Sequence, residues 1–241
     1  MLHAVLSDVH ANLEALEAVL GDVQRRGAAD MVCLGDFVGY GASPNECVAR
    51  LRPRIDAAVL GNHDEAALRP RHIEYFNPDA ARAARWTAEA LTPEHRDYLD
   101  ALPLSVAWRG ARLVHASPSD PDAWNYVFRP SEAAREMAAC AEALCLVGHS
   151  HVPGTFEVRG SRAGYSRAPY VEGRRDRRYL IVVPSVGQPR DGDPRAGYLL
   201  WDDEAWTFEH VRLPYDMEGA IHRILKAGLP PYLGERLRWG E

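Results

Sequence analysis

Short apolar runs alternate with amphipathic segments through the first quarter of the chain. HAVLS (3–7) predicts a strand. In NLEALEAVLGDVQRRG (12–27), Leu13, Leu16, Val19, Leu20 and Val23 recur at helical spacing, with Asn12 as a candidate N-cap and Gly27 as the stop. DMVCLG (30–35) predicts a second strand, SPNECVARL (43–51) a helix opened by Ser-Pro, and DAAVLG (56–61) a third strand. Apolar strands alternating with helices in this way predict a mostly parallel sheet with helices packed outside it.

Residues 65–101 then read as a helical insertion without β signal, with cap-like starts to helices over 79–91 and 92–102. Strands at 104–108 and 111–115, joined by Arg109-Gly110, predict a hairpin. A helix over 131–143 leads into the strand ALCLVG (143–148). After His151 the pattern turns β-rich, with candidate strands at 154–158, 179–184, 196–201 and 205–211, and a closing helix at 216–227. The segment 159–178, rich in Arg, Gly and Ser, reads as a long loop or protruding hairpin. No repeat and no linker interrupts the pattern, and the Pro/Gly stretch at 187–194 is too short to separate domains, so a single domain over 1–241 is expected.

Composition changes this picture little. The 241 residues are 46% hydrophobic and 26% charged, ordinary for a globular chain. A formal net charge of −6 argues against broad nonspecific nucleic-acid binding, though not against a local basic patch. No run reaches the ~18 consecutive apolar residues of a membrane span. MLHAVLSDVH carries no basic n-region, so no signal peptide is expected. Cys33, Cys47, Cys140 and Cys145 show no Cys-x-x-Cys spacing, which fits free thiols in a cytoplasmic protein.

The chemistry sits where the predicted strands end. Asp8 and His10 follow the first strand, Asp36 the second, and Asn62, His63 and Asp64 the third. His115 closes the strand at 111–115, and His149 and His151 follow the strand at 143–148. Each alone has an ordinary reading: a strand-end Asp is usually a cap or turn residue, and Gly-Asn-His-Asp is turn-prone. Five strand ends carrying Asp, Asn or His in order are another matter, because ligand sites in parallel sheets form at the carboxyl ends of strands. Carboxylate, imidazole and amide donors suit Mn, Fe, Zn, Co or Ni rather than a calcium cage or a thiolate zinc site. The donors outnumber the needs of one four-coordinate ion. With Asp36 bridging, they suit two divalent metals about 3.5–4 Å apart, a pair able to ionise a bridging water and clamp a phosphoryl group.

The order D-x-H, G-D, G-N-H-D, H, G-H-x-H resembles the calcineurin-like metallophosphoesterases, most of all their small bacterial branch of phosphodiesterases and dinucleoside polyphosphate hydrolases. The resemblance covers almost the whole chain. It implies a four-layer α/β/β/α sandwich. It implies one metal held by Asp8, His10, Asp36 and His151, and a second by Asp36, Asn62, His115 and His149, with manganese favoured. It also implies attack by a metal-bridging hydroxide, with His63 facing the phosphate as proton donor or charge stabiliser. One departure stands out. Where protein phosphatases of the superfamily carry G-D-x-x-D-R-G, whose second aspartate orients the catalytic histidine, this chain has Gly39. That argues against a protein phosphatase and leaves His63 without that orienter.

Selectivity would come from surrounding loops. Candidates are Tyr40 in GYGASP, with Asn62 as both ligand and substrate contact; Tyr75, Phe76, Asn77 and Trp86 in the insertion; and Gln188, Arg190 and Arg195 in SVGQPRDGDPRAG. The expected partner is a small-molecule phosphoester, a diester or nucleotide polyphosphate rather than a monoester. Two alternatives stay open. A nuclease or RNA-processing phosphodiesterase would use the seven arginines of 159–178 as a basic rim. A noncatalytic scaffold of the same fold would have little reason to keep His63 and every ligand.

Overall fold

A computed structural model of the chain describes residues 1–69, 73 and 76–241. The β-α alternation forms as expected: β1 (Leu2–Leu6), α1 (Leu13–Arg26), β2 (Asp30–Cys33), α2 (Pro44–Leu51) and β3 (Ala57–Ala58). Asn12 caps α1 by accepting from the Ala15 amide, and Gly27 closes it in the left-handed region at φ 68°. β3 is shorter than the sequence predicts. It pairs only with β2, at the edge of its sheet, and the chain then turns directly into α3 (Asn62–Leu68). α4 (Pro78–Ala90) and α5 (Pro93–Asp100) complete the helical insertion. Asn77 and Thr92 cap them, and each begins with Pro at its first position.

β4 (Ser105–Trp108) and β5 (Ala111–Val114) form the expected hairpin. α6 (Pro130–Ala138) ends earlier than the predicted 143 and leads to β6 (Leu144–Val147). The segment 159–178 is more ordered than a loop. β7 (Gly154–Arg159) and β8 (Arg162–Ser166) make a hairpin, and β9 (Tyr170–Glu172) crosses to the other sheet. There follow β10 (Arg178–Val182), β11 (Ala196–Asp202), β12 (Thr207–Leu213), α7 (Met217–Lys226) and the short α8 (Pro231–Glu235).

These strands build two six-stranded sheets, in the orders β3-β2-β1-β11-β12-β9 and β4-β5-β6-β10-β7-β8. β1, β2 and β3 run parallel in the first, and β5, β6 and β10 run parallel in the second. The period of two along each strand sorts side chains into layers. In β1, Ala4 and Leu6 pack toward α1 and α2, whereas Val5 faces the space between the sheets. In β6, Leu144 and Leu146 enter that same central layer while Cys145 and Val147 meet α6. The result is helices, sheet, sheet, helices: the four-layer α/β sandwich. Both central sheets are covered on each face, so the carboxyl ends of β1, β2, β5 and β6 open together onto one rim.

Candidate metal centre and substrate cavity

The chain leaves β1, β2 and β6 in left-handed conformations that non-glycine residues rarely adopt. φ is 55° at Asp8, 50° at His10, 52° at Asp36, 63° at His149 and 57° at His151. Each such residue costs of order 1–3 kcal/mol, and such strain persists only where the surroundings over-determine it. Here they do. The Asp8 amide donates to the Gly35 carbonyl at 3.1 Å, and the His10 amide to the Asp36 carbonyl at 2.9 Å. The His149 amide donates to both Asp8 carboxylate oxygens at 3.1 and 3.2 Å, tying the second sheet to the first. A Cβ on Gly148 would lie 1.9 Å from Ser7 Oγ, so only glycine allows that approach. The backbone is bent to aim these side chains at one point.

Asp8, His10, Asp36 and His151 are buried, and one ligand atom of each lies within 4.8 Å of all the others. Asp36 Oδ2 sits between two imidazoles, 3.5 Å from His10 Nε2 and 3.4 Å from His115 Nε2. On the far side of it, His115 Nε2 lies 3.1 Å from Asn62 Oδ1, and the His149 ring centroid lies 5.1 Å from that of His115. Asp8, His10, Asp36 and His151 thus form one buried group, and His115, Asn62 and His149 adjoin it on the other side of Asp36.

Hydrogen bonds fix which nitrogens are bare. His10 Nδ1 faces the Val38 carbonyl at 3.2 Å, His115 Nδ1 faces the Leu34 carbonyl at 2.7 Å, and His151 Nδ1 faces the Gln188 carbonyl. Donating there leaves each Nε2 lone pair pointing inward. His10 Nε2 and His151 Nε2 then face each other at 3.1 Å, and His151 Nε2 is 3.1 Å from Asp8 Oδ1. Moving a proton to the other nitrogen only shifts the repulsion to the carbonyl. Protonating the rings is opposed by burial, which holds His10 well below its ordinary pKa and lowers His151. Asp36 Oδ2 and His149 Nε2 are likewise buried without a hydrogen-bond partner. Electron pairs converging on one dry locus fit divalent cations.

The electrostatics agree. Burial pushes the Asp8 and Asp36 carboxyls up, but His151 beside Asp8 and His115 beside Asp36 more than reverse this, so both stay ionised. Burial also pulls His115 down, yet the charge of Asp36, with Asp8 behind it, pushes it up to about 9.

His63 lies at the first turn of α3, its amide donating to Asp36 Oδ1 at 2.8 Å. Burial lowers its pKa to about 4 against the pull of Asp36, so the ring is neutral near pH 7. Gly39 is what makes room for it: a Cβ there would lie 2.6 Å from His63 Nδ1. Among the described residues, no side-chain orienter replaces the missing aspartate. The ring is instead packed by Tyr40, Phe76 and His10, with centroids 4.3, 4.6 and 4.9 Å away, and Nδ1 is buried without a partner. The next residue, Asp64, accepts from the Gly61 and Val38 amides and holds the loop; burial and then Asp36 push its carboxyl up to about 8.

Two cavities open beside the cluster, and Asn62, Phe76 and Tyr126 line both. One, of about 210 Å³, is also lined by Tyr40, His63, Asn77, Arg190 and Arg236. Arg190 reaches it with Nη2 donating to Tyr40 Oη at 3.1 Å and Nε to Gln188 Oε1 at 3.1 Å. Gln188 is thus a support rather than part of the wall: its carbonyl takes His151 and its side chain holds Arg190. Arg195 is a correction to the expectation. Its guanidinium forks onto Asp193, two residues away, and it lines neither cavity. Trp86 packs into a neighbouring apolar cluster, and Tyr75 lies outside the described residues. The second cavity, of about 510 Å³, includes His149, Trp124, Glu65 and Asp122. Arg236, Trp124 and Tyr126 were not expected. The alternating aromatics of WNYVF (124–128), just beyond His115, were the available signal.

Comparison with known proteins agrees with this geometry. Residues 1–204 match the model of the calcineurin-like phosphoesterase superfamily domain. An uncharacterised protein of Methanocaldococcus jannaschii is 41% identical over 98% of this chain and 97% of its own. The crystal structure of a metallophosphoesterase from Sphaerobacter thermophilus is 38% identical, covering 100% of this chain and 99% of that one at a TM-score of 0.88. A hypothetical protein of Pyrococcus horikoshii shares the fold at 20% identity and a TM-score of 0.80, covering 100% and 98%. The chain belongs to the calcineurin-like phosphoesterase superfamily. Within it, the buried Asp/His cluster is a site that could hold metal ions. Among the described residues, no helix is long and apolar enough to cross a membrane.

Proposed function

We propose that the protein is a cytoplasmic phosphoester hydrolase that uses two divalent transition-metal ions, manganese favoured, and cleaves phosphodiesters or nucleotide polyphosphates in preference to monoesters. The observation that carries this reading is the meeting of bare imidazole nitrogens and ionised carboxylates at one buried locus, with Asp36 Oδ2 between the His10 and His115 rings. Asp8, His10, Asp36 and His151 would hold one ion, and Asp36, Asn62, His115 and His149 the other. Bound there, such ions would supply Lewis acidity and an activated water. The protein's own groups do the rest. His63, neutral and facing the smaller cavity, offers an N–H to a phosphoryl oxygen. As an anionic phosphoryl group raises its basicity, His63 can carry the proton that the leaving oxygen needs. Arg190 and Arg236 present positive charge to a further anionic group, which a simple monoester lacks.

The nuclease alternative loses support at 159–178. Arg159 pairs with Glu157, Arg174 with Asp176 and Arg167 with Asp191, while Arg175 and Arg178 donate to backbone carbonyls. Charges committed to neighbours make a poor phosphate rail.

Elemental analysis of metal-loaded protein should approach two ions per chain, and Asp36→Asn should lower the occupancy of both, since both sets share that charge. On the loaded enzyme, bis(p-nitrophenyl) phosphate and dinucleoside polyphosphates should be cleaved with higher kcat/KM than p-nitrophenyl phosphate. One ion per chain, unchanged by Asp36→Asn, would overturn the two-metal assignment, and a preference for the monoester would overturn the substrate class.

A further inference from the structure

The two cavities beside the cluster differ in chemistry as well as size. Among the described residues, the smaller one has two guanidinium groups in its lining and no carboxylate. Among the described residues, the larger one has two carboxylates, Glu65 and Asp122, no cationic side chain other than the candidate ligand His149, and the rings of Phe76, Trp124 and Tyr126. Its volume of about 510 Å³ falls inside the ~300–1,000 Å³ range of small-molecule sites.

The aromatic wall is fixed to the candidate metal centre. Tyr126 stacks on His149 with centroids 4.2 Å apart and planes at 17°, and Trp124 meets His115 edge-on at 5.8 Å. Trp124 is held by its indole N–H, which donates to Glu65 Oε2 at 3.2 Å, and its backbone is left-handed at φ 52°. Yet Tyr126 remains 45% exposed and Phe128 51%. Rings left open to water beside a reactive centre are apolar surface awaiting a partner. The Asp122 carboxylate there would repel a second phosphate, but it can accept hydrogen bonds from ring N–H or amino groups. The site therefore has a direction.

We propose that the larger cavity receives a planar aromatic group of the substrate, such as a nucleobase, while any additional phosphate lies on the Arg190 and Arg236 side. Trp124 and Tyr126 then set a preference for nucleoside or aryl phosphoesters over alkyl ones. This rests on the phosphoesterase reading for the position of the scissile phosphate, and not for the binding of the ring.

The test uses full-length, metal-loaded protein and two product-like probes, adenosine 5′-monophosphate and methyl phosphate. Each is measured as a competitive inhibitor of bis(p-nitrophenyl) phosphate hydrolysis and by calorimetry. In the wild type the nucleotide should bind about 10- to 100-fold more tightly than methyl phosphate, the size of one base–aromatic stacking contact. Trp124→Leu should bring that ratio toward one, and Trp124→Phe, which keeps a ring, should restore most of it. Metal content and circular dichroism identify any variant that fails to fold; Tyr126→Leu, at a more exposed position, then serves in its place. Equal affinity for the two probes in the wild type, or a ratio indifferent to loss of the ring, would overturn the proposal while leaving the hydrolase reading intact. If no phosphoester is turned over, it is the hydrolase reading that falls, and calorimetry still decides whether the cavity binds the ring.

Discussion

The strand β1 carries buried histidines at its start and just past its end, and the two could hardly differ more. At the start, His3 is packed between Trp108 and Trp201, its Nδ1 3.0 Å from Asp30 Oδ2 and its Nε2 3.2 Å from Asp203 Oδ2. Both ring nitrogens face a carboxylate, the backbone is regular strand, and Arg109 and the N-terminal amine balance the acids. Past the end, His10 faces another imidazole and its backbone is left-handed. Composition does not separate the two clusters, since both are histidine with aspartate in the core. The charge facing each ring and the backbone strain do. In the structural cluster each ring nitrogen faces a carboxylate, whereas in the binding cluster like groups face each other on a strained backbone, at a cost that only a ligand offsets.

The largest effect expected from this contrast is at His63. His63→Ala should leave metal content near wild type and lower kcat by ~10²–10⁴, the usual range for a positioned acid–base group. Loss of metal instead would move His63 into the ligand cluster, and wild-type turnover would remove it from the chemistry. The Gly39 clearance sharpens the point. Its φ is 88°, and an added Cβ would strike the His63 ring. The glycine at the phosphatase orienter position is therefore a steric requirement of this arrangement rather than a simple loss.

A smaller effect is expected at Arg190, which bounds the open site without touching the cluster of carboxylates. Arg190→Ala should raise KM for a dinucleoside polyphosphate and leave kcat nearly unchanged, as for a contact held equally in ground and transition states. A charge-assisted contact of ~1.5–3 kcal/mol corresponds to roughly 10- to 100-fold in kcat/KM. Bis(p-nitrophenyl) phosphate, with no second phosphate, is the control. Equal losses on both substrates would mean that Arg190 serves the centre through Tyr40 and Gln188.

What could be read beforehand follows from the same physics. Strand-end Gly, Asp and His fix their own backbone within a few residues, so the five-part order exposed the cluster, while the four-layer sandwich came with the family resemblance which that order carries. The walls of the cavities were harder, because they are assembled by segments far apart in the chain. Arg236 reaches Tyr40 across almost two hundred positions, its guanidinium 5.8 Å from that ring. Arg195 looked as promising as Arg190 in sequence, but Asp193 intercepts it. Of the two readings of 159–178, the hairpin holds for β7 and β8, while β9 went unread because it is held by only three residues against β12.

The smallest effect on turnover, and the sharpest check of the contrast, is expected at His3. His3→Gln keeps a polar side chain but cannot face both Asp30 and Asp203 as the imidazole does, so one carboxylate loses the group that faces it. That should cost about 1–3 kcal/mol, and for a chain of this size each kcal/mol lowers Tm by roughly 2–4 °C. The loss should be read in thermal melting at low salt, with Asp30→Asn giving a comparable shift because it opens the same cluster from the other side. Meanwhile kcat/KM of the folded enzyme should stay within about twofold of wild type, because nothing at the start of β1 reaches the rim where Asp8 and His10 turn inward. A His3 variant that folds at the wild-type temperature yet loses metal or turnover would show that the two ends of β1 are coupled. It would also mean that a closed set of ion pairs is no guide to which histidines are structural.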